Sequence, residues 1–232
     1  MSRGRTIGRG VLYTAAPTAL WYGVLVGVGL LIGGPAFRAV AEFEDGMVPA
    51  LASVRTPLWD TVTHAVSTSA DTFVIVGTAA VVGLLLRWLL GRWLEAVVLW
   101  AGVALQSTIF LLTTLVVSRP RPEVEKLDPA PPTSSFPSGH TGAATALYIG
   151  LALVLAGRIR RRPVRLLVIA GLAIVPLAIG FCRLYRGMHH PSDVVFGVLN
   201  GVAAVIIVRF ATYHGVQTDP VLTDPGHPRR TR

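Results

Sequence analysis

The sequence predicts an all-α integral membrane protein, a bundle of six transmembrane helices. Of its 232 residues, 52% are hydrophobic and only 14% are charged, whereas roughly 25% are charged in a typical soluble domain. The mean hydropathy is +0.60. The apolar residues are gathered in runs of about 18 or more, which is long enough to cross a bilayer as a helix. Six runs fit, at 16–36, 72–90, 94–117, 140–157, 164–181 and 194–213.

The first run follows a basic stretch, as both a signal peptide and a first transmembrane helix do. Ala39-Val40-Ala41 resembles a signal-peptidase site, so cleavage is the alternative. The apolar stretch is longer than the 7–15 residues of a typical signal peptide, and Arg38 interrupts its end. We therefore expect a retained helix.

The distribution of charge along the chain predicts the orientation of the six helices. Cytoplasmic segments of membrane proteins are enriched in Lys and Arg. With both termini in the cytoplasm, most of the basic residues fall on the cytoplasmic side, including the run RIRRRPVR at 158–165, and most of the acids fall on the outer side. We expect a basic cytoplasmic segment at 1–15, a membrane domain at 16–213 and a disordered cytoplasmic tail at 214–232.

The net charge of +9 would suggest nucleic-acid binding in a soluble protein. In this chain the membrane orientation accounts for it, and we expect no nucleic-acid partner. The single cysteine, Cys182, excludes an internal disulfide and a cysteine-based metal site.

Two of the predicted outer loops are long. The loop at about 37–71 contains Pro57, which suits the first position of a short helix, and Trp59, which suits the membrane interface. A helix lying flat on the outer leaflet and a plain connector both fit this loop. The loop at about 118–139 is rich in proline, which predicts irregular structure.

Three polar clusters lie beside helix ends on the predicted outer side. They are Arg119 with Arg121, then Ser138-Gly139-His140, and then the segment from Arg183 to Asp193. Charged groups near lipid are costly unless they are paired or functional. The convergence of three such clusters therefore predicts a functional site.

The chemistry of these clusters suits a phosphate group. Pro137 starts the fourth helix, so the N–H groups of Ser138, Gly139 and His140 point towards an anion. Arginine forks from Arg119 or Arg121 and from Arg183 match phosphate oxygens. Nucleophiles and proton donors are then available as the histidines His140, His189 and His190.

A metal site in His189-His190-Pro191-Ser192-Asp193 is the alternative. Two adjacent histidines rarely converge on one ion, and no third histidine lies nearby in sequence. We therefore predict no metal and no cofactor.

The chain resembles the type 2 phosphatidic acid phosphatase family of integral-membrane lipid phosphatases. The family signature combines K-x6-RP, PSGH and SR-x5-H-x3-D. Here the second part reads Pro137-Ser138-Gly139-His140, and the third matches at Arg183, His189 and Asp193, with Cys182 in place of its serine. The resemblance covers roughly residues 15 to 213.

The first part of the signature departs from the family pattern. The sequence SRPRP offers two arginines, and we favour Arg121 as the motif arginine. Counting back from Arg121 places Thr114 where the family has lysine, and counting from Arg119 places Leu112 there. The alternatives for the missing lysine are weaker turnover, a different headgroup, or compensation by Arg119, Lys126 or Arg186.

The resemblance implies a mechanism. His189 attacks phosphorus and forms a phosphohistidine, Asp193 reaches back to His189, and His140 protonates the leaving oxygen and then activates water. Arg121, Arg183 and the Ser138–His140 amides stabilise the phosphoryl group. His190 begins the last helix.

We therefore expect a hydrolase in a bacterial cell membrane with its site facing outward. The expected substrates are undecaprenyl diphosphate, phosphatidic acid or phosphatidylglycerophosphate. A phosphotransferase using the same histidines and a non-catalytic relative that lacks the motif lysine are the alternatives. The sequence leaves the headgroup, the chain length and the oligomeric state open.

Overall fold

The computed structural model describes residues 3–32 and 34–216 of the chain. Within these ranges the structure contains helices and no strand. The described residues form eight α-helices, which are numbered in chain order: α1 (Arg3–Leu31), α2 (Arg38–Ser53), α3 (Pro57–Thr68), α4 (Thr72–Leu90), α5 (Leu94–Val116), α6 (Gly139–Ala156), α7 (Arg162–Tyr185) and α8 (Pro191–Val216). The expected tail lies almost wholly outside the described residues.

Six of these helices contain segments that are long and apolar enough to cross a membrane, which confirms the predicted fold class. The first segment, Tyr13–Leu31, ends earlier than predicted, because Gly34 and Pro35 begin a separate 3₁₀ turn. The other five segments agree with the predicted runs to within about one helical turn.

The long loop after the first span forms two helices rather than one. Helix α3 begins at Pro57, as the sequence suggested, and Thr56 caps it by accepting a hydrogen bond from the Trp59 amide. Helix α2 was not predicted. Gly46 and Pro49 lie within it, and such residues usually lower helix propensity. Both α2 and α3 pack against α7.

Helix α6 lies at the centre of the bundle. It packs against α4, α5, α7 and α8, whereas α1 packs against α8 and α5 at the periphery. Half of the residues of α6 are buried, against 11% in the spanning part of α1. The start of α6 is therefore enclosed by its neighbours.

Small residues allow α6 and α8 to approach closely. A Cβ atom added to Gly201 of α8 would lie 2.6 Å from the carbonyl oxygen of Gly142 and 2.5 Å from Cβ of Thr145, both on α6. Close backbone approach through small residues is the usual way in which membrane helices pack. Because α8 begins at Pro191, this contact also fixes the position of the segment before it.

We predict that Gly201→Ala lowers the thermal stability of the protein, because overpacking a tight interface costs about 1–3 kcal/mol. The matched control is Gly77→Ala on α4, where an added Cβ meets nothing within 4 Å. Alanine at position 77 should leave the midpoint of thermal unfolding unchanged or raise it, because alanine favours a helical conformation more than glycine does. Thermal unfolding in one detergent checks both variants, and equal midpoints would contradict the packing argument.

Candidate active site

The three polar clusters meet around one pocket. Its volume is about 600 Å³, and Arg121, Gly139, His140, Arg183 and His189 all line it. The pocket is therefore lined by residues from the loop before α6, from the start of α6, from the end of α7 and from the turn that follows α7.

The pocket also extends along α4 and α5, where its wall combines the polar side chains of Thr72, Gln106, Ser107 and Thr114 with an apolar part. We call this part the apolar arm; it is lined by Ile75, Val76, Val103, Phe110 and Leu111. Val76 is 57% exposed and Leu111 is 58% exposed on the surface of the bundle, so the arm opens where lipid would surround the helices.

His189 is held in a defined orientation by a backbone group. Its Nδ1 lies 2.8 Å from the carbonyl oxygen of Ser135, which can only accept a hydrogen bond, so Nδ1 carries the proton. Burial lowers the pKa of His189 to about 4, although the nearby Asp193 opposes this effect. The imidazole is therefore neutral near pH 7, with an unshared electron pair on Nε2.

Asp193 lies close to His189, but not in the way that the resemblance implied. Its Oδ2 is 3.6 Å from Nδ1 of His189, which is longer than a hydrogen bond. The same oxygen accepts a hydrogen bond of 2.8 Å from the backbone N–H of His190. The carboxylate is thus fixed at the start of α8, where it can act on His189 through its charge.

The side chain of Arg119 does not line the pocket. It donates to Oδ1 of Asp193 at 2.5 Å and to Oε2 of Glu44 at 2.6 Å. Glu44, on α2, is 1% exposed and also accepts a hydrogen bond from the Ser192 amide at 2.5 Å. Arg119, which the sequence predicts as a phosphate-binding residue, is therefore placed outside the pocket, because its guanidinium group is paired with two buried carboxylates.

Arg121 is the arginine of this pair that lines the pocket. It donates one hydrogen bond, from Nη1 to the carbonyl oxygen of Met188 at 2.7 Å. Its Nε is buried and has no partner among the described residues. Burial lowers the pKa of Arg121, but an arginine remains protonated in proteins. Its unused donors can bind an anion.

Arg183 also lines the pocket and, like Arg121, makes hydrogen bonds with only part of its guanidinium group. Its Nη1 donates to Oγ of Ser67 at 2.8 Å and to Oδ2 of Asp128 at 2.9 Å. Its Nε is buried and has no partner in the described part of the chain. Ser67 and Asp128 thus fix this guanidinium at the pocket wall while leaving donors for a ligand.

Two of the three expected amides remain available at the start of α6. The Ser138 N–H donates to the carbonyl oxygen of Asp193 at 2.8 Å, and the first intrahelical bond runs from Gly142 N to Ser138 O. The N–H groups of Gly139 and His140 precede that bond, as at any helix N-terminus. A Cβ on Gly139 would lie 2.8 Å from the Phe110 ring, so a larger residue here would have to displace that ring.

His140 has a carboxylate partner that the sequence did not reveal. Its Nε2 lies 2.8 Å from Oδ1 of Asp71, the residue before α4, and Asp71 also lines the pocket. In sequence Asp71 was only one of many acids in a loop. Its place as N-cap of a spanning helix is the signal that could have identified it.

The residues considered as substitutes for the missing lysine lie elsewhere. Arg186 donates to both carboxylate oxygens of Asp128, at 2.8 and 2.6 Å, and does not line the pocket. Burial alone would raise the pKa of Asp128, but Arg186 and Arg183 hold it below its usual value. Lys126 is exposed and is not part of the lining, whereas Thr114 is.

Arg119 and Arg121 should respond differently to mutation. Arg119→Met leaves Glu44 and Asp193 as buried carboxylates without a cation, a loss that costs about 3–5 kcal/mol. Arg121→Met removes one hydrogen bond to a carbonyl, worth about 1 kcal/mol. We predict a much lower midpoint of thermal unfolding for Arg119→Met than for Arg121→Met. The opposite order would contradict the assignment of Arg119 to the structural network.

Comparison with known proteins agrees with this architecture. The family model described as the PAP2 superfamily matches residues 92–215. Undecaprenyl-diphosphatase BcrC of Bacillus subtilis (strain 168) is 34% identical over 134 residues, which is 55% of this chain and 62% of that protein. The chain thus matches about three fifths of the length of this relative.

Two solved structures share the fold. A transmembrane PAP2-type phosphatidylglycerolphosphate phosphatase from Bacillus subtilis superposes with a TM-score of 0.73 at 18% identity, over 90% of this chain and 98% of the other. LpxE of Aquifex aeolicus superposes with a TM-score of 0.57 at 24% identity, over 70% of this chain and 92% of the other.

Proposed function

This chain belongs to the PAP2 superfamily, and we propose that it is a membrane phosphatase that hydrolyses a lipid phosphate or diphosphate. One observation carries the proposal: His140 and His189, with Arg121 and Arg183, line a pocket that continues into the apolar arm. This arrangement suits a substrate with a phosphate head and a hydrocarbon tail. The similarity to an undecaprenyl-diphosphatase supports undecaprenyl diphosphate as the first substrate to test, with phosphatidic acid and phosphatidylglycerophosphate beside it.

In the first step, Nε2 of His189 attacks phosphorus and the bond between phosphorus and the lipid oxygen breaks. The product is a phosphohistidine. The Ser135 carbonyl accepts a hydrogen bond from Nδ1–H, and Asp193 lies 3.6 Å from Nδ1, so both stabilise the positive charge that develops on the ring. Arg121 and Arg183, with the free amides of α6, stabilise the equatorial phosphoryl oxygens.

His140 serves as the acid and then as the base. It gives a proton to the leaving oxygen, and Asp71, 2.8 Å away, compensates the charge of its protonated form. In the second step the neutral His140 takes a proton from water. The resulting hydroxide attacks phosphorus, the bond to Nε2 breaks, and inorganic phosphate leaves.

We predict that His189→Ala abolishes phosphate release from a lipid phosphate, by about 10⁴-fold or more as for other catalytic nucleophiles. Asp193→Asn should do the same, because it removes the charge beside His189. The adjacent residue gives the matched control: His190→Ala should keep much of the activity, since that side chain does not line the pocket. Release of phosphate and an acid-labile phosphoenzyme are the measurements.

Full activity of the purified His189 variant would refute the nucleophile assignment. Phosphate that appears only when an acceptor lipid or sugar is added would instead identify a phosphotransferase. Failure to form a phosphoenzyme with any lipid phosphate would favour a non-catalytic relative.

We also propose that the pocket faces the outer side of the cell membrane, on the strength of the basic residues at the opposite ends of the helices. Lys126→Cys, beside the pocket, should react with a membrane-impermeant maleimide in intact spheroplasts. The matched control, Arg160→Cys between α6 and α7, should react only after lysis. Both positions are exposed and the native Cys182 is buried. The reverse labelling pattern would place the site in the cytoplasm.

A further inference from the structure

Gln106 is a buried polar side chain that the proposed mechanism does not use. It lies on α5, is 1% exposed and lines the pocket. Its Nε2 has no hydrogen-bond partner among the described residues. A buried donor without a partner is costly, and in native proteins it calls for an explanation.

Other groups of Gln106 are held by hydrogen bonds. Its Oε1 accepts a hydrogen bond from Oγ of Ser107 at 3.3 Å, and its backbone carbonyl accepts one from Nδ2 of Asn200 at 3.1 Å. A Cβ added to Gly142 would lie 2.2 Å from Nε2. The amide therefore lies directly against the backbone of α6, at a position where only glycine leaves room for it.

The depth of Gln106 relates it to one part of the substrate. Gly142 lies about 4–5 Å along α6 from Gly139, at 1.5 Å per residue. Phe110 lies against Gly139 and Gln106 against Gly142, so along α5 Gln106 comes between the phosphate-binding end of the pocket and Val103 of the apolar arm. A substrate whose tail runs from Gly139 towards Val103 would place the atoms just beyond the scissile oxygen, on the leaving group, at this level.

We propose that Nε2 of Gln106 donates a hydrogen bond to an oxygen on the leaving group, within a few atoms of the scissile bond, and so selects lipids that carry one. An ester carbonyl of a glycerolipid and the second phosphate of a prenyl diphosphate both supply such an oxygen. A prenyl monophosphate, whose chain is hydrocarbon from the scissile oxygen onward, does not. The inference rests on the proposed phosphatase function.

The selection follows from the cost of the unpaired donor. A site built to bond a substrate oxygen discriminates against an analogue without it, because the buried amide then stays unsatisfied. Removing the amide should therefore lower turnover of the oxygen-bearing lipids and leave the prenyl monophosphate unaffected.

The test compares three lipids with the purified full-length protein in detergent: dioleoyl phosphatidic acid, farnesyl diphosphate and farnesyl monophosphate. Gln106→Met keeps the shape of the side chain and removes the donor. We expect kcat/KM to fall about tenfold for at least one of the first two lipids, as the loss of one hydrogen bond predicts, and to stay within about twofold for farnesyl monophosphate. The lipid that loses turnover identifies the oxygen as carbonyl or phosphate.

Thr108→Val is the matched control, because it removes a polar group from the exposed face of the same helix; it should leave all three rates unchanged. Thermal unfolding reports whether each variant is folded, and Gln106→Leu replaces Gln106→Met if the latter does not purify.

Equal losses on all three lipids would show a structural role and overturn the proposal, and so would unchanged rates on all three. Both outcomes leave the phosphatase function standing. A wild-type protein that releases phosphate from none of the lipids would contradict the phosphatase function itself, and the inference with it.

Discussion

The ion pair between Arg119 and Asp193 is the interaction on which the site depends. Asp193 is fully buried, and a buried carboxylate is stable only when it is paired and hydrogen-bonded. Arg119 supplies the cation, and Glu44 on α2 balances that cation in turn. The three residues join α2, the loop before α6 and the start of α8. The segment that carries His189 is therefore fixed by charges outside the pocket.

The hydrogen bonds and ion pairs of the four arginines near the site show which of them are structural and which line the pocket. Arg119 donates to the carboxylates of Asp193 and Glu44, and Arg186 donates to the carboxylate of Asp128 and to two carbonyls; both arginines lie outside the pocket lining. Arg121 and Arg183 line the pocket, and in each the Nε atom has no partner within the described residues. Unused donors on fixed guanidinium groups are preorganised for an anion. Structural arginines thus position the site, while the other two remain available to bind phosphate.

The sequence predicts the fold class, and it singles out several residues that line the pocket, because both signals are encoded locally. Apolar runs define the spanning helices, and the spacing from Arg183 to His189 and Asp193 defines one side of the site. The partners that tune these residues were not predictable, because they are distant in sequence. Ser135 is 54 residues from His189, Asp71 is 69 from His140, and Glu44 is 75 from Arg119. Packing between elements that are distant in sequence, such as α2 and α3 against α7 and α4 against α6, brings such groups together.

The threonine in place of the family lysine can be understood from the charges that remain. A phosphate monoester carries up to two negative charges. Arg121 and Arg183 present two cations to the pocket, and Arg183 is also paired with Asp128, which lines the pocket too. The free amides at the start of α6 add the positive end of a helix dipole. Thr114 lines the same pocket, and its hydroxyl donates to the carbonyl oxygen of Leu111 at 2.8 Å. The wall at this position is therefore short and neutral, and the positive charge at the pocket comes from the two arginines and the start of α6.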